Sequence, residues 1–102
     1  MTKPPLAAKE LEMIRNLLRN HPDVREVRLF GSRATGTHSL RSDVDLAVWG
    51  VDSVLKVEHL AAELDELPLP YRFDLQAFEQ ISHEPLRTHI ERVGIPIYQR
   101  MG

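Results

Sequence analysis

Residues 43–49 begin with alternating acidic and apolar side chains, and this pattern constrains the fold more than any other feature of the sequence. Side chains two apart in a β-strand point to the same face of the sheet. One face of this predicted strand is therefore apolar and is formed by Val44, Leu46 and Val48. The other face carries Asp43 and Asp45, followed by Ala47. Two adjacent carboxylates repel each other, so we expect this face to meet a cation rather than a hydrophobic core.

The rest of the chain supplies alternating helices and strands. Apolar residues at helical spacing predict helices over residues 6–20, 53–66 and 85–93. Further strands are expected over residues 24–30, 71–78 and 95–99, and the last should lie at an edge because Pro96 has no N–H to donate. A short helical turn followed by a loop is predicted for residues 31–42. With 102 residues, we expect one α/β or α+β domain with a small mixed sheet flanked by helices.

A third carboxylate lies in the predicted strand over residues 71–78. Its apolar positions, among them Phe73 and Leu75, share one face, and Asp74 lies on the opposite face between Arg72 and Gln76. An unpaired acid in a buried strand is costly, and placing Asp74 beside the first two aspartates would explain its presence. Three carboxylates suit Mg²⁺ and could hold two ions about 4 Å apart, an arrangement used for displacement at phosphorus. A structural pair between Arg72 and Asp74 is the alternative.

The predicted first strand is followed directly by Gly31 and Ser32. Glycine allows the backbone to approach a phosphate closely, and N–H groups at the start of a turn bind anions. Arg33 and Arg41 could offset the charge of a triphosphate, although the sequence does not fix where their side chains point. The combination indicates chemistry at a phosphoryl group, with little covalent work by the protein.

Gly31-Ser32, ten intervening residues and Asp43-x-Asp45 resemble the signature of the DNA polymerase β-type nucleotidyltransferase superfamily. The similarity is greatest to its minimal (MNT) members, the antitoxins of HEPN–MNT toxin–antitoxin pairs. It extends over the helix before the first strand, the Asp74 strand and the segment over residues 90–98. It implies a polymerase β-like nucleotidyltransferase fold covering nearly the whole chain.

The resemblance also implies roles for individual residues. Asp43, Asp45 and Asp74 would be the catalytic and metal-binding residues, and Asp74 would also help to activate the attacking hydroxyl group. The predicted nucleotide-binding residues are Gly31, Ser32, Arg33 and Ser42. The implied reaction is Mg²⁺-dependent transfer of AMP from ATP to a tyrosine of a partner HEPN toxin.

Composition limits the alternatives. A net charge of −2 disfavours direct nucleic-acid binding, which requires a basic face. There is no cysteine, and no run of about 18 apolar residues that could span a membrane, so we expect a cytoplasmic location. Two other functions remain open. One is a non-catalytic module that masks a toxin by stoichiometric binding, and the other is a transferase acting on a small molecule.

Overall fold

The computed structural model describes residues 6–36 and 43–100 of the chain. Four helices and four strands alternate with one 3₁₀ turn over Phe78–Gln80. The helices are α1 (Ala8–Leu18), α2 (Ser32–Thr35), α3 (Val54–Asp65) and α4 (Glu84–Val93). The strands are β1 (Glu26–Phe30), β2 (Val44–Trp49), β3 (Phe73–Ala77) and β4 (Ile95–Gln99). The predicted α/β class with a small mixed sheet is confirmed.

The strands form one sheet in the order β3-β2-β1-β4. β1 is antiparallel to both β2 and β4, whereas β2 and β3 are parallel and are joined by α3. The C-terminal end of β1 therefore lies beside the N-terminal ends of β2 and β3. The predicted edge position of the last strand is confirmed, and β3 forms the opposite edge.

The two faces of the sheet are covered by different elements. Val44, Leu46 and Val48 of β2 pack into a main core with Ile14 of α1 and Leu64 of α3. The opposite face carries a smaller buried cluster, which consists of Phe30, Ala47, Phe78 and Ile90. The apolar alternation predicted for β2 thus matches the two faces that the sheet presents.

Local contacts define where the longer helices begin. Glu10 accepts a hydrogen bond from the Ala7 N–H (2.9 Å) at the start of α1, and the Ser53 hydroxyl accepts one from the Lys56 N–H (3.2 Å) at the start of α3. Both contacts satisfy N–H groups that have no partner within the helix. Pro85 occupies the first turn of α4, where a missing N–H costs nothing. No helix in the described ranges has the length and apolarity to cross a membrane.

Candidate active site

The pairing of strands brings two of the predicted carboxylates side by side. Asp45 of β2 is the direct neighbour of Asp74 on β3 and, across the other edge of β2, of Phe30 on β1. Asp43 immediately precedes β2, two residues before Asp45, in the position that strand alternation gives to the same face. The structure therefore gathers the three predicted aspartates at one end of the sheet, on the face opposite the main core.

The environment of Asp45 reflects this arrangement. Its pKa is raised above the usual 3.8 mainly by partial burial, and then by the negative charges of Asp74 and Asp43. Desolvation and like charge both disfavour an ionised carboxylate. The three acids are thus close enough to influence one another electrostatically, and a bound cation would relieve this repulsion.

Carboxylate oxygens are the donors that Mg²⁺ prefers, so these aspartates fit a hard divalent cation in their chemistry. Within the described ranges, however, no three acidic or histidine side chains converge closely enough to form a ready-made metal site. Mg²⁺ is commonly held by one or two carboxylates together with substrate phosphates. The donor set is therefore suited to a metal that arrives with its nucleotide.

Asp74 differs from its predicted environment, because its side chain is exposed. The apolar positions of β3, Phe73, Leu75 and Ala77, are buried as expected, whereas Asp74 lies on the open face of this edge strand. No ion pair joins it to Arg72, although the structure describes both residues. The carboxylate of Asp74 is therefore accessible from solvent and is not held by its basic neighbour.

Gly31 lies directly against Asp45. Its φ of +74° and ψ of −152° belong to a region of backbone conformation that is essentially restricted to glycine. A Cβ atom at this position would also collide with Asp45 Oδ2 and would lie 3.2 Å from Asp45 Cγ. The first residue of the predicted nucleotide-binding turn therefore needs glycine both for its conformation and for its close contact with the carboxylate.

The other predicted nucleotide-binding residues are placed differently from one another. Ser32 begins α2, next to Gly31, and is half-buried. Arg33 is only 4% exposed, and its guanidinium carbon lies 4.4 Å from the centre of the Tyr71 ring. Ser42 lies outside the described residues, as does Arg41. The structure thus brings Gly31 to Asp45, with Ser32 next to it in the chain, whereas it packs Arg33 against a tyrosine.

Tyr71 is held from a second direction by Glu10. The Tyr71 hydroxyl donates to the Glu10 carboxylate, at 2.8 Å from Oε2 and 3.0 Å from Oε1. Burial, followed by the hydrogen bond and charge of Glu10, raises the pKa of the Tyr71 phenol, while Arg33 acts in the opposite direction. This network was not predicted from the sequence. Glu10 and Tyr71 are 61 positions apart, and no local sequence pattern indicates their contact.

Aromatic residues occupy the same face of the sheet as the aspartates. Trp49 stacks on Phe78 of the 3₁₀ turn, with 4.3 Å between ring centres, and the guanidinium carbon of Arg28 lies 5.0 Å from the centre of the Trp49 ring. Phe30, the neighbour of Asp45, meets the edge of the His89 ring at 6.3 Å. Trp49 is therefore packed against its neighbours, and the half-buried His89 of α4 contacts the residue that pairs with Asp45.

Comparison with known proteins identifies the class to which this fold and this site belong. Residues 12–101 match the sequence profile of the family described as Polymerase beta, Nucleotidyltransferase. The chain belongs to this family. The chain matches no curated protein sequence.

Solved structures identify more specific similarities. A protein provisionally assigned as a minimal nucleotidyltransferase is 30% identical, with a TM-score of 0.69 over 86% of this chain and 89% of the other. A toxin–antitoxin crystallised with AMP-PNP is 26% identical, with a TM-score of 0.75 over 89% and 74% of the two chains. The predicted resemblance to minimal nucleotidyltransferases of toxin–antitoxin pairs is confirmed by these matches.

A third structure shares the fold at lower identity. It contains a tri-AMPylated HEPN toxin from Shewanella oneidensis in complex with its MNT antitoxin. The match is 24% identical, with a TM-score of 0.68 over 90% of this chain and 71% of the other. At this identity, the likeness extends to the fold alone.

Proposed function

We propose that this protein is a Mg²⁺-dependent nucleotidyltransferase that transfers AMP from ATP to a tyrosine hydroxyl of a partner HEPN toxin and thereby acts as its antitoxin. The observation that carries the proposal is the pairing of Asp45 with Asp74 at the end of the sheet where Gly31 contacts Asp45. This arrangement combines acidic ligands with a backbone turn open to phosphate. It meets the main requirement of phosphoryl-type transfer, which is the positioning of charge.

In the proposed reaction, the oxygen of the acceptor hydroxyl forms a bond to the α-phosphorus of ATP. The bond from that phosphorus to the oxygen bridging to the β-phosphate breaks, and pyrophosphate leaves. Asp74 accepts the proton of the attacking hydroxyl, a role that suits an exposed carboxylate. Asp43, Asp45 and Asp74 would hold Mg²⁺, which neutralises phosphate charge when it is bound. Gly31 and Ser32 orient the triphosphate.

The assignment of ATP and of a HEPN acceptor rests on the relatives. One related toxin–antitoxin was crystallised with AMP-PNP, and another structure contains a tri-AMPylated HEPN toxin with its MNT antitoxin. The accessible position of Asp74 on an edge strand agrees with an acceptor that approaches as a separate protein.

A second candidate is a non-catalytic module that neutralises the toxin by forming a stoichiometric complex. The observation that favours it is that one structure with this fold is a complex of a HEPN toxin with an MNT antitoxin. In this case the aspartates would be a vestige of the family site, and binding energy alone would silence the toxin.

Toxin neutralisation in cells separates the two candidates. The toxin should be co-expressed with the wild type, with Asp45→Asn or with Asp52→Asn, whose carboxylate is 82% exposed and pairs with Lys56 outside the site. The transferase proposal predicts that Asp45→Asn loses protection while Asp52→Asn keeps it, at equal protein levels. Full protection by Asp45→Asn would instead support the masking module.

A further inference from the structure

Helix α2 is too short to fix its own position. It contains four residues, Ser32–Thr35, with the Thr35 N–H donating to the Gly31 carbonyl at 3.2 Å and the Gly36 N–H donating to the Ser32 carbonyl. A single helical turn is unstable in isolation because nucleation costs more than one hydrogen bond returns. The orientation of the Gly31–Ser32 turn must therefore depend on contacts that α2 makes with the rest of the fold.

The side chain of Arg33 provides such a contact. It is 4% exposed and lies over the Tyr71 ring at 4.4 Å. A buried guanidinium requires electrostatic compensation, and an aromatic face supplies part of it. Because Arg33 directly follows Ser32, the position of the Tyr71 ring restricts where the nucleotide-binding turn can lie.

Tyr71 is itself fixed at two points. Its hydroxyl donates to Glu10, which also accepts the Ala7 N–H at the start of α1. The carbonyl of Arg72, the residue that follows Tyr71, accepts a hydrogen bond from the N–H of Val44, the first residue of β2, at 2.8 Å. Tyr71 therefore connects α1 with the segment that leads into the aspartate strands.

We propose that Tyr71 is a positioning residue of the nucleotide site, which holds the Gly31–Ser32 turn in place through Arg33 and is anchored by Glu10. The inference rests on the proposed function and deepens it, since it assigns a role to residues that do not touch the substrate. It predicts that loss of the Tyr71 ring impairs the handling of the triphosphate and leaves recognition of the acceptor protein unchanged.

The test compares Tyr71→Phe, Tyr71→Leu and a control, Tyr98→Leu. Tyr98 is also partly buried against the main core, but it lies on β4 at the opposite edge of the sheet. The KM for ATP, the KM for the acceptor and kcat should be measured on folded protein, alongside thermal melting. We expect Tyr71→Leu to raise the KM for ATP about fivefold to tenfold, as loss of a buried cation–π contact suggests. Tyr71→Phe retains the ring and should raise it only about twofold.

The acceptor KM should stay within about twofold for all three variants, and the ATP KM of Tyr98→Leu should also stay within about twofold. Equal ATP KM values for Tyr71→Leu and Tyr98→Leu, in a wild type that transfers AMP normally, would overturn this inference alone. If Tyr71→Leu does not fold, Glu10→Gln and Tyr71→Phe carry the test: each should raise the ATP KM about twofold, and values indistinguishable from the wild type within measurement error in both would overturn it. A wild type that binds ATP but transfers nothing would refute the proposed function, and ATP dissociation constants of the same variants would then decide the inference.

Discussion

The sheet has one face dominated by apolar packing and one face that combines a small apolar cluster with three carboxylates. Among the residues that the structure describes, fifteen buried ones form the main core under α1 and α3, whereas four form the cluster beside α4. Both faces arise from the same strands, since Leu46 points into the main core and its neighbour Asp45 to the other side. Alternation along a single strand thus separates stability from chemistry by one residue.

The two faces also contribute differently to the stability of the fold. The main core lowers the free energy of the folded state by removing apolar surface from water. On the other face, partial burial and like charges raise the pKa of Asp45, which indicates that its ionised form is destabilised. Destabilising arrangements of this kind are common in active sites.

Removing a carboxylate from the charged face should have the largest effect on activity. We expect Asp45→Asn to reduce the rate of AMP transfer at least about a hundredfold, because electrostatic stabilisation at the reacting phosphorus is lost. Initial rates with the partner toxin measure this effect, and circular dichroism checks the fold. The control is Asp52→Asn, which changes an exposed carboxylate paired with Lys56, and its transfer rate should stay within about twofold of the wild type. A normal transfer rate for Asp45→Asn would contradict the assignment of Asp45 as a catalytic residue.

Equivalent truncations on the two faces should differ in their cost to stability. Leu64 of the main core and Ile90 of the smaller cluster are both fully buried. We expect Leu64→Ala to lower the free energy of unfolding by about 3–4 kcal/mol and Ile90→Ala by about 2–3 kcal/mol, since a thinner layer relaxes more easily into the cavity. Urea denaturation provides the values, and the reverse order would invalidate the comparison of the two faces.

Two glycines at the ends of α2 offer a matched pair. Both have positive φ, but a Cβ at Gly31 would collide with Asp45, whereas a Cβ at Gly36 meets no atom of the described residues within 4 Å. Gly36→Ala should cost only its conformational strain, about 1 kcal/mol. Gly31→Ala should cost about 1–3 kcal/mol and should also abolish nucleotide binding. Thermal melting and ATP titration test the pair, and equal effects would show that contact with Asp45 is unimportant.

The smallest effect concerns pH and stability. Because the folded-state pKa of Asp45 is raised, the fold favours the protonated acid and loses stability as the pH rises through its pKa. In EDTA at pH 7, Asp45→Asn should therefore melt at a slightly higher temperature than the wild type. The difference should disappear near pH 3, below the usual pKa of 3.8. A variant that is less stable at pH 7 would show that repulsion does not dominate at this position.

Sequence patterns predicted much of the fold because they report local structure. The alternation over residues 44–49 gave the bounds of β2 as they are observed. The third strand was predicted over residues 71–78 but extends from Phe73 to Ala77. Tyr71 is drawn towards Glu10 and Arg33, and Phe78 enters a 3₁₀ turn where it stacks on Trp49. Such long-range contacts shortened the strand at both ends.

The candidate site was likewise predictable only where it depends on local structure. The shared face of Asp43 and Asp45 follows from strand geometry. The register that sets Asp74 beside Asp45 follows from tertiary structure, as does the exposure of Asp74 on an edge strand. The burial of Arg33 against Tyr71 was not predictable either, since an arginine after a glycine–serine turn is equally compatible with solvent, with phosphate or with an aromatic ring.

The most direct test of the account is the intact mass of the proposed partner, a HEPN toxin, after incubation with this protein, ATP and Mg²⁺. The control reaction would use protein carrying both Asp43→Asn and Asp45→Asn. The account predicts that the toxin gains mass in AMP-sized steps with the wild type and none with the control. An unchanged toxin mass, despite a stable complex between the two proteins, would contradict the transferase and support neutralisation by binding.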